Sequence, residues 1–221
     1  MNKPSILAIL LLGSICFAGC SQEPEKDDPP VVDPKIAIEK KALANASSEG
    51  ETADAPKRVA ADKAHLQKAK RVSERALFLG DLAKDSFSAG EVADAKMFAE
   101  ELREIVRKKK DEWDFRAAKG KAIQDVNIVL GRLALKEGRV AEAKTYLLAA
   151  GKGFDSSLEN LDCPRNMSLA RDLLLKGEKQ VVLQYLEECK NSWIRGFDQI
   201  REWSAEITDG KIPDFGANLI E

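Results

Sequence analysis

"LGRLALKEG", residues 130–138, is one of three copies of a single frame, since the chain also reads "LAKDSFSAG" at 82–90 and "LARDLLLKG" at 169–177. Each copy carries Leu, then a small residue, then a cation, and closes on Gly. Apolar residues at spacings of three and four around these frames describe amphipathic helices, and glycine is where such helices stop. The segments after the glycines repeat as well: "GEVADAKMFAEEL" from 90, "GRVAEAKTYLLAA" from 138 and "GEKQVVLQYLEEC" from 177. Helix, glycine turn and second helix in a recurring frame predict an all-α array in which each hairpin buries its apolar face on the next. The glycines lie 48 and then 39 residues apart, which leaves room for long helices or inserted loops.

Outward from these frames, helical periodicity runs from Lys57 to about residue 210, with no alternating strand pattern. Val59, Leu66, Ala69, Val72, Ala76, Leu79, Ala83 and Phe87 share one stripe and predict a single long helix that ends at Gly90. Val92, Ala95, Ala99, Leu102 and Val106 mark the helix after it, and the pattern resets near Lys119-Gly120. The second hairpin is then "KAIQDVNIVLGRLALKEG" with "RVAEAKTYLLAAGKG", and the third is "PRNMSLARDLLLKG" with "EKQVVLQYLEECKNSW", Pro164 falling where a helix start tolerates it. In "NSWIRGFDQIREWSAEITDG", Trp193, Phe197, Ile200 and Ile207 form a stripe with Trp203 alongside. A terminal hairpin needs its open face covered, and this segment reads as the capping helix. Residues 211–221 read as a C-terminal tail.

The N-terminal residues, "MNKPSILAILLLGSICFAGCSQEPEKDD", pair Lys3 with an apolar run from Ser5 to Ala18 and close on Gly19-Cys20, the arrangement of an export signal. The run is shorter than the roughly 20 residues a membrane-crossing helix needs. "FAGC" resembles the lipobox of bacterial lipoproteins, with Phe17 where Leu is usual. The resemblance implies cleavage after residue 19 and lipid modification, including palmitate, of Cys20. Several acyl chains would anchor the protein stably. Ser21 is not the Asp that retains many lipoproteins in the inner membrane, so the resemblance implies the periplasmic face of the outer membrane. Residues 20–56, with "SQEPEKDDPPVVDPK" at their start, have the composition of a disordered tether. Loss of residues 1–19 removes one Lys and no acid and leaves a net charge of -3, which favours neither nucleic acid nor an anionic membrane surface as a partner. Cys163 and Cys189 remain, 14 residues before and 12 after Gly177; a disulfide across that hairpin and two separate buried thiols are both open.

The hairpins resemble tetratricopeptide repeats. Around Gly138 the bulky Leu130 and Leu147 and the small Gly131, Ala134, Ala143 and Ala150 fall where that family places such residues, over a stretch covering residues 76 to about 190. The flanking units depart from the pattern: Leu102 and Val182 occupy places for small residues, and Asn127 and Asn166 a place for an aromatic. The resemblance implies a right-handed superhelical array of about three hairpins over residues 57–210, the capping helix included. It also implies a groove lined by the first helices, into which Lys84, Arg132 and Arg171 would point, with Ile128, Leu135 and Met167 between them. Lys84 has Asp81 one turn away, whereas Arg132 and Arg171 have no carboxylate three or four residues away on their own helices. Such a groove would bind an acidic or C-terminal peptide. Solvated surface charges, or pairing with carboxylates of the neighbouring hairpin, are the other readings of the same cations.

The inventory of reactive groups points away from catalysis. His65 is the only histidine and lies among Lys and Ala, without a serine or cysteine nucleophile elbow. The cysteines lack redox or zinc spacing, no glycine loop for phosphate occurs, and "DFG" at 214–216 lacks every other kinase element. The run "RKKKDEWDF" at 107–115 reads as a solvated helix end. The sequence is therefore read as a membrane-anchored lipoprotein acting as a non-catalytic protein-binding adaptor or assembly factor, with no metal and no cofactor. Alternatives are a self-associating structural envelope protein and, last, a cell-wall hydrolase.

Overall fold

Where this chain is helical is decided by where apolar stripes can meet and where glycine lets the backbone reverse. The computed structural model describes residues 55–109, 111–154 and 165–219, and among them the regular structure is entirely helical. Eight α-helices occur in order: α1 (Ala55–Lys68), α2 (Val72–Ser88), α3 (Val92–Lys109), α4 (Arg116–Lys136), α5 (Val140–Gly151), α6 (Ser168–Leu175), α7 (Lys179–Lys190) and α8 (Phe197–Thr208). The signal segment, Cys20, the stretch to residue 54, Cys163 and Pro164 lie outside the described residues.

Gly90, Gly138 and Gly177 join α2 to α3, α4 to α5 and α6 to α7 as the repeated frame predicts. Their φ angles are +81°, +79° and +86°, a left-handed conformation that costs glycine nothing and other residues much more. At each turn the N–H two residues beyond the last helical turn reaches back to close it, as in Arg139 N–H to Ala134 O at 2.8 Å and Glu178 N–H to Leu173 O at 3.0 Å. A fourth turn of the same form comes after α8, where Gly210 has φ +82° and Lys211 N–H donates to Glu206 O at 2.9 Å. In this respect α8 is built like the first helix of a fourth hairpin.

Two expectations about helix continuity are corrected. The stripe from Val59 to Phe87 belongs to two helices, α1 and α2, broken at 69–71, where Arg71 takes an extended conformation. The break is made from a distance: Asp114, beyond α3, accepts the N-terminal N–H of Val72 at 3.0 Å and the Ser73 hydroxyl at 3.3 Å, and pairs with Arg71 at 3.1 Å. A carboxylate on the first amides of α2 starts that helix afresh and lets α1 fold back along it. His65 is then an exposed residue of α1, its ring 5.3 Å from that of Phe78 on α2. The second correction is at Lys119-Gly120, where no reset occurs. Both lie inside α4, which begins at Arg116 behind a short 3-10 turn over Trp113–Phe115.

Two hydrophobic cores result. One joins α1 to α4 through Leu79, Leu82, Phe98, Leu102 and Phe115; the other joins α4 to α8 through Leu147, Leu169, Leu173, Tyr185 and Trp203. Helix α4 serves both, giving Val126, Val129 and Leu133 to the first and Ile128 and Ala134 to the second. Gly131 on α4 has a packing reason: a Cβ there would lie 2.2 Å from Leu169 Cδ2 and 3.1 Å from Tyr146 Cβ. Helix α8 covers α7 with Ile200, Trp203 and Ile207, while Phe197, expected on the buried stripe, is 46% exposed. The segment read as a tail also differs from expectation. Phe215 and Asn218 are buried, with Phe215 in the second core.

Candidate functional site

The three repeated cations do not line an open groove. Lys84 is 6% exposed, with Nζ 2.9 Å from Asp81 Oδ1 on its own helix and 3.4 Å from Asp125 Oδ1 on α4. Lys121 on α4 completes the cluster, 3.0 Å from Asp81 and 2.6 Å from Asp125. Beside them Arg58 of α1 pairs with the buried Asp85 at 2.7 Å. Burial alone would raise the Asp81 carboxyl, but Lys84 and Lys121 outweigh it and hold the group below its ordinary range. Burial likewise works against the charge on Lys121, and Asp125 and Asp81 overcome it and push its ammonium above the usual value.

Arg132 donates from Nε to Asp172 Oδ2 on α6 at 2.8 Å and stacks its guanidinium 4.4 Å over the Phe87 ring of α2. Of the readings its sequence left open, pairing from the neighbouring hairpin is the one found. Arg171 is buried, as are Ile128 and Met167, and Leu135 is half-buried against the second core. Of the six residues expected in a groove, Lys84, Arg171, Ile128 and Met167 are thus buried, and Arg132 and Leu135 are half-buried. For Lys84 and Arg132 the repeated frame marks a tie from one hairpin to the next.

A second polar cluster escaped the sequence. Tyr185 on α7 is fully buried; its hydroxyl donates to Asn166 O at 2.9 Å and accepts from Gln124 Nε2 of α4 at 3.2 Å. Arg165 is fully buried too, with its guanidinium 3.5 Å over the Phe154 ring and Nη2 donating to Ser192 O at 2.6 Å. Cys189, next to the Tyr185 hydroxyl, is a free buried thiol, and burial pushes it up to about 12 against the pull of Arg165. No periodicity marks Arg165, Asn166 and Gln124 as interior, since charged and amide residues are ordinarily outside.

An open concavity lies elsewhere, across the second helices of adjacent hairpins. It is a depression of about 590 Å³ between α5 and α7, with Leu148, Val181 and Leu183 beside Gln184 and the Lys144–Glu178 ion pair, 2.8 Å long. Aliphatic floor, amide and paired charges together suit recognition of another molecule's apolar and polar groups. The exposed large apolar side chains are at Met97, Trp113, Ile194 and Phe197. Among the described residues no three acid, His or Cys side chains are grouped to hold a metal ion, and no helix is long and apolar enough to cross a membrane. Comparison with protein-family models, with curated proteins and with solved structures gives no match for this chain.

Proposed function

We propose that this chain is a lipid-anchored, non-catalytic helical-hairpin protein of the bacterial cell envelope that holds another polypeptide as an adaptor or assembly factor. The observation that carries the reading is the depression between α5 and α7, whose lining offers aliphatic contact and hydrogen bonds. We assign the binding role there rather than to Arg132, which pairs with Asp172, or to the buried Arg171. A tetratricopeptide-like arrangement is supported by Gly131, Ala143 and Ala150, small and buried where that family packs helix on helix. Anchoring at Cys20 on the periplasmic face of the outer membrane belongs to the same proposal and rests on the sequence "FAGC". Cells fed an alkynyl palmitate are expected to label the wild-type protein and not Cys20→Ser; equal labelling of both would remove the anchor from the proposal.

The binding role is tested by a photo-crosslinking amino acid at Leu148, with exposed Lys96 on α3 as the control site. A discrete product from 148 alone, abolished by Leu183→Arg in a protein of unchanged helicity, is the expected result. Identical patterns from both sites would defeat the adaptor reading. One observation favours self-association instead: Ile194 and Phe197 are 63% and 46% exposed side by side at the end of the array. Under that second reading, molecular mass by sedimentation rises with concentration and Phe197→Ser keeps the protein monomeric.

A further inference from the structure

After the Gly210 turn the chain does not form the second helix of a hairpin. It runs back against α8 as a strap that turns once as a 3-10 helix over Gly216–Asn218, and only one side of that strap is held: Pro213, Phe215 and Asn218 are buried, whereas Lys211, Asp214, Gly216 and Ala217 are exposed. Its contacts are those of a bound peptide. Met167 N–H donates to Asn218 O at 2.8 Å, and Asn218 Nδ2 returns a bond to Arg165 O at 3.1 Å. Trp203 Nε1 donates to Asp214 O at 3.2 Å, and the Phe215 ring meets the Trp203 indole edge-on at 5.0 Å. Main-chain bonds supply general affinity and two side-chain anchors supply selectivity, the division of labour found where peptides are recognised. The receiving backbone is also held from its other side, Arg165 lying between the Phe154 ring and Ser192 O.

We infer that residues 165–167 with Trp203 form a recognition site for a short polypeptide segment, and that the chain's own residues 211–219 occupy it as a tethered ligand. The external partner for this site is a segment carrying an aromatic residue and, one 3-10 turn on, an asparagine, as Phe215 and Asn218 are placed. Exposed Asp209, Gly210 and Lys211 are the hinge on which the strap leaves. This site is separate from the depression between α5 and α7, and the two stand or fall by different measurements.

The test uses the full chain carrying Phe215→Ala and a fluorescein-labelled peptide of residues 211–221, followed by anisotropy. The variant is expected to bind the peptide saturably and about ten-fold or more tighter than the wild-type chain, whose site is filled. Peptides with the Phe or the Asn replaced by Ala should lose about ten-fold or more. No saturable binding by a folded variant overturns the inference. Should the variant fail to fold, hydrogen exchange on the wild-type chain decides: the Met167 amide should exchange roughly 100-fold faster than those of Val182 and Leu186, by local release of the strap. Equal protection at all three would make the strap an inseparable part of the core and overturn the inference. Peptide binding without any crosslink from position 148 would keep this site and remove the adaptor surface proposed above.

Discussion

Asp125, with 3% of its surface exposed, holds Lys84 and Lys121 at once and so ties α2 to α4. Asp125→Asn leaves Lys84 buried with half its compensation, and a loss of about 3 kcal/mol in urea unfolding is expected, as for a broken buried pair. The same cluster fixes the acid limb of stability. Asp81 is held below its ordinary range, so its contribution is complete above about pH 3.9 and disappears as pH falls through the lower folded value. Lys121 runs the other way, its contribution complete below about pH 10.4 and lost only as pH rises past its elevated folded value. Urea midpoints should therefore drop below about pH 4, less steeply in Asp81→Asn; an unchanged slope in that variant would count against the cluster. Cys189 gives a chemical check, because a thiol pushed up to about 12 and buried stays unreactive. In a Cys163→Ser background, a disulfide reagent at pH 8 should label Cys189 only after denaturant is added. The recurrence of Lys84, Arg132 and Arg171 was legible in the sequence because a frame is a local property. So was Asp81, one turn from Lys84, but the partners on other helices were not, since Asp125 and Asp172 are 41 and 40 residues away from the cations they meet.

At the scale of helices, the glycine turns were the most legible feature, because a positive φ is written in the residue itself. Gly90→Ala, Gly138→Ala and Gly177→Ala should each cost about 1–2 kcal/mol, the strain of a left-handed alanine, and nearly add in combination, since the turns share no partners. A cost near zero at all three by thermal unfolding would deny the turns their role. The break between α1 and α2 was illegible for the opposite reason: the apolar stripe continues across it, and the carboxylate that ends it comes from Asp114 after the next helix. Asp114→Ala is expected to accelerate exchange of the Val72 and Ser73 amides by roughly ten-fold or more while leaving those of α7 untouched. The strap after Gly210 was misread for want of any periodicity. Its Pro213 and Gly216 describe a tail, and the receiving backbone at Arg165 and Met167, with the core around Phe215, makes it part of the fold.

Across the whole molecule, α4 belongs to both cores, so neither can unfold without exposing the other's apolar surface. Leu147→Ala, a cavity in the second core, should cost about 3 kcal/mol. Its effect should reach the first core: in a Trp113→Phe background, fluorescence of Trp193 and Trp203 and exchange of α2 amides should report one shared transition. Two separated midpoints would show the cores to be independent. Shared membership also sets an order in time. A chain made from its N-terminus can close the first core once Leu133 has emerged, using α1 to α4 alone. The second core needs Phe215, and the α7 and α8 surfaces that pack around it are displayed, incomplete, until residues beyond Gly210 have emerged as well. A nascent chain thus carries one closed core and one open one, and residues 211–219 are the ones that close the second.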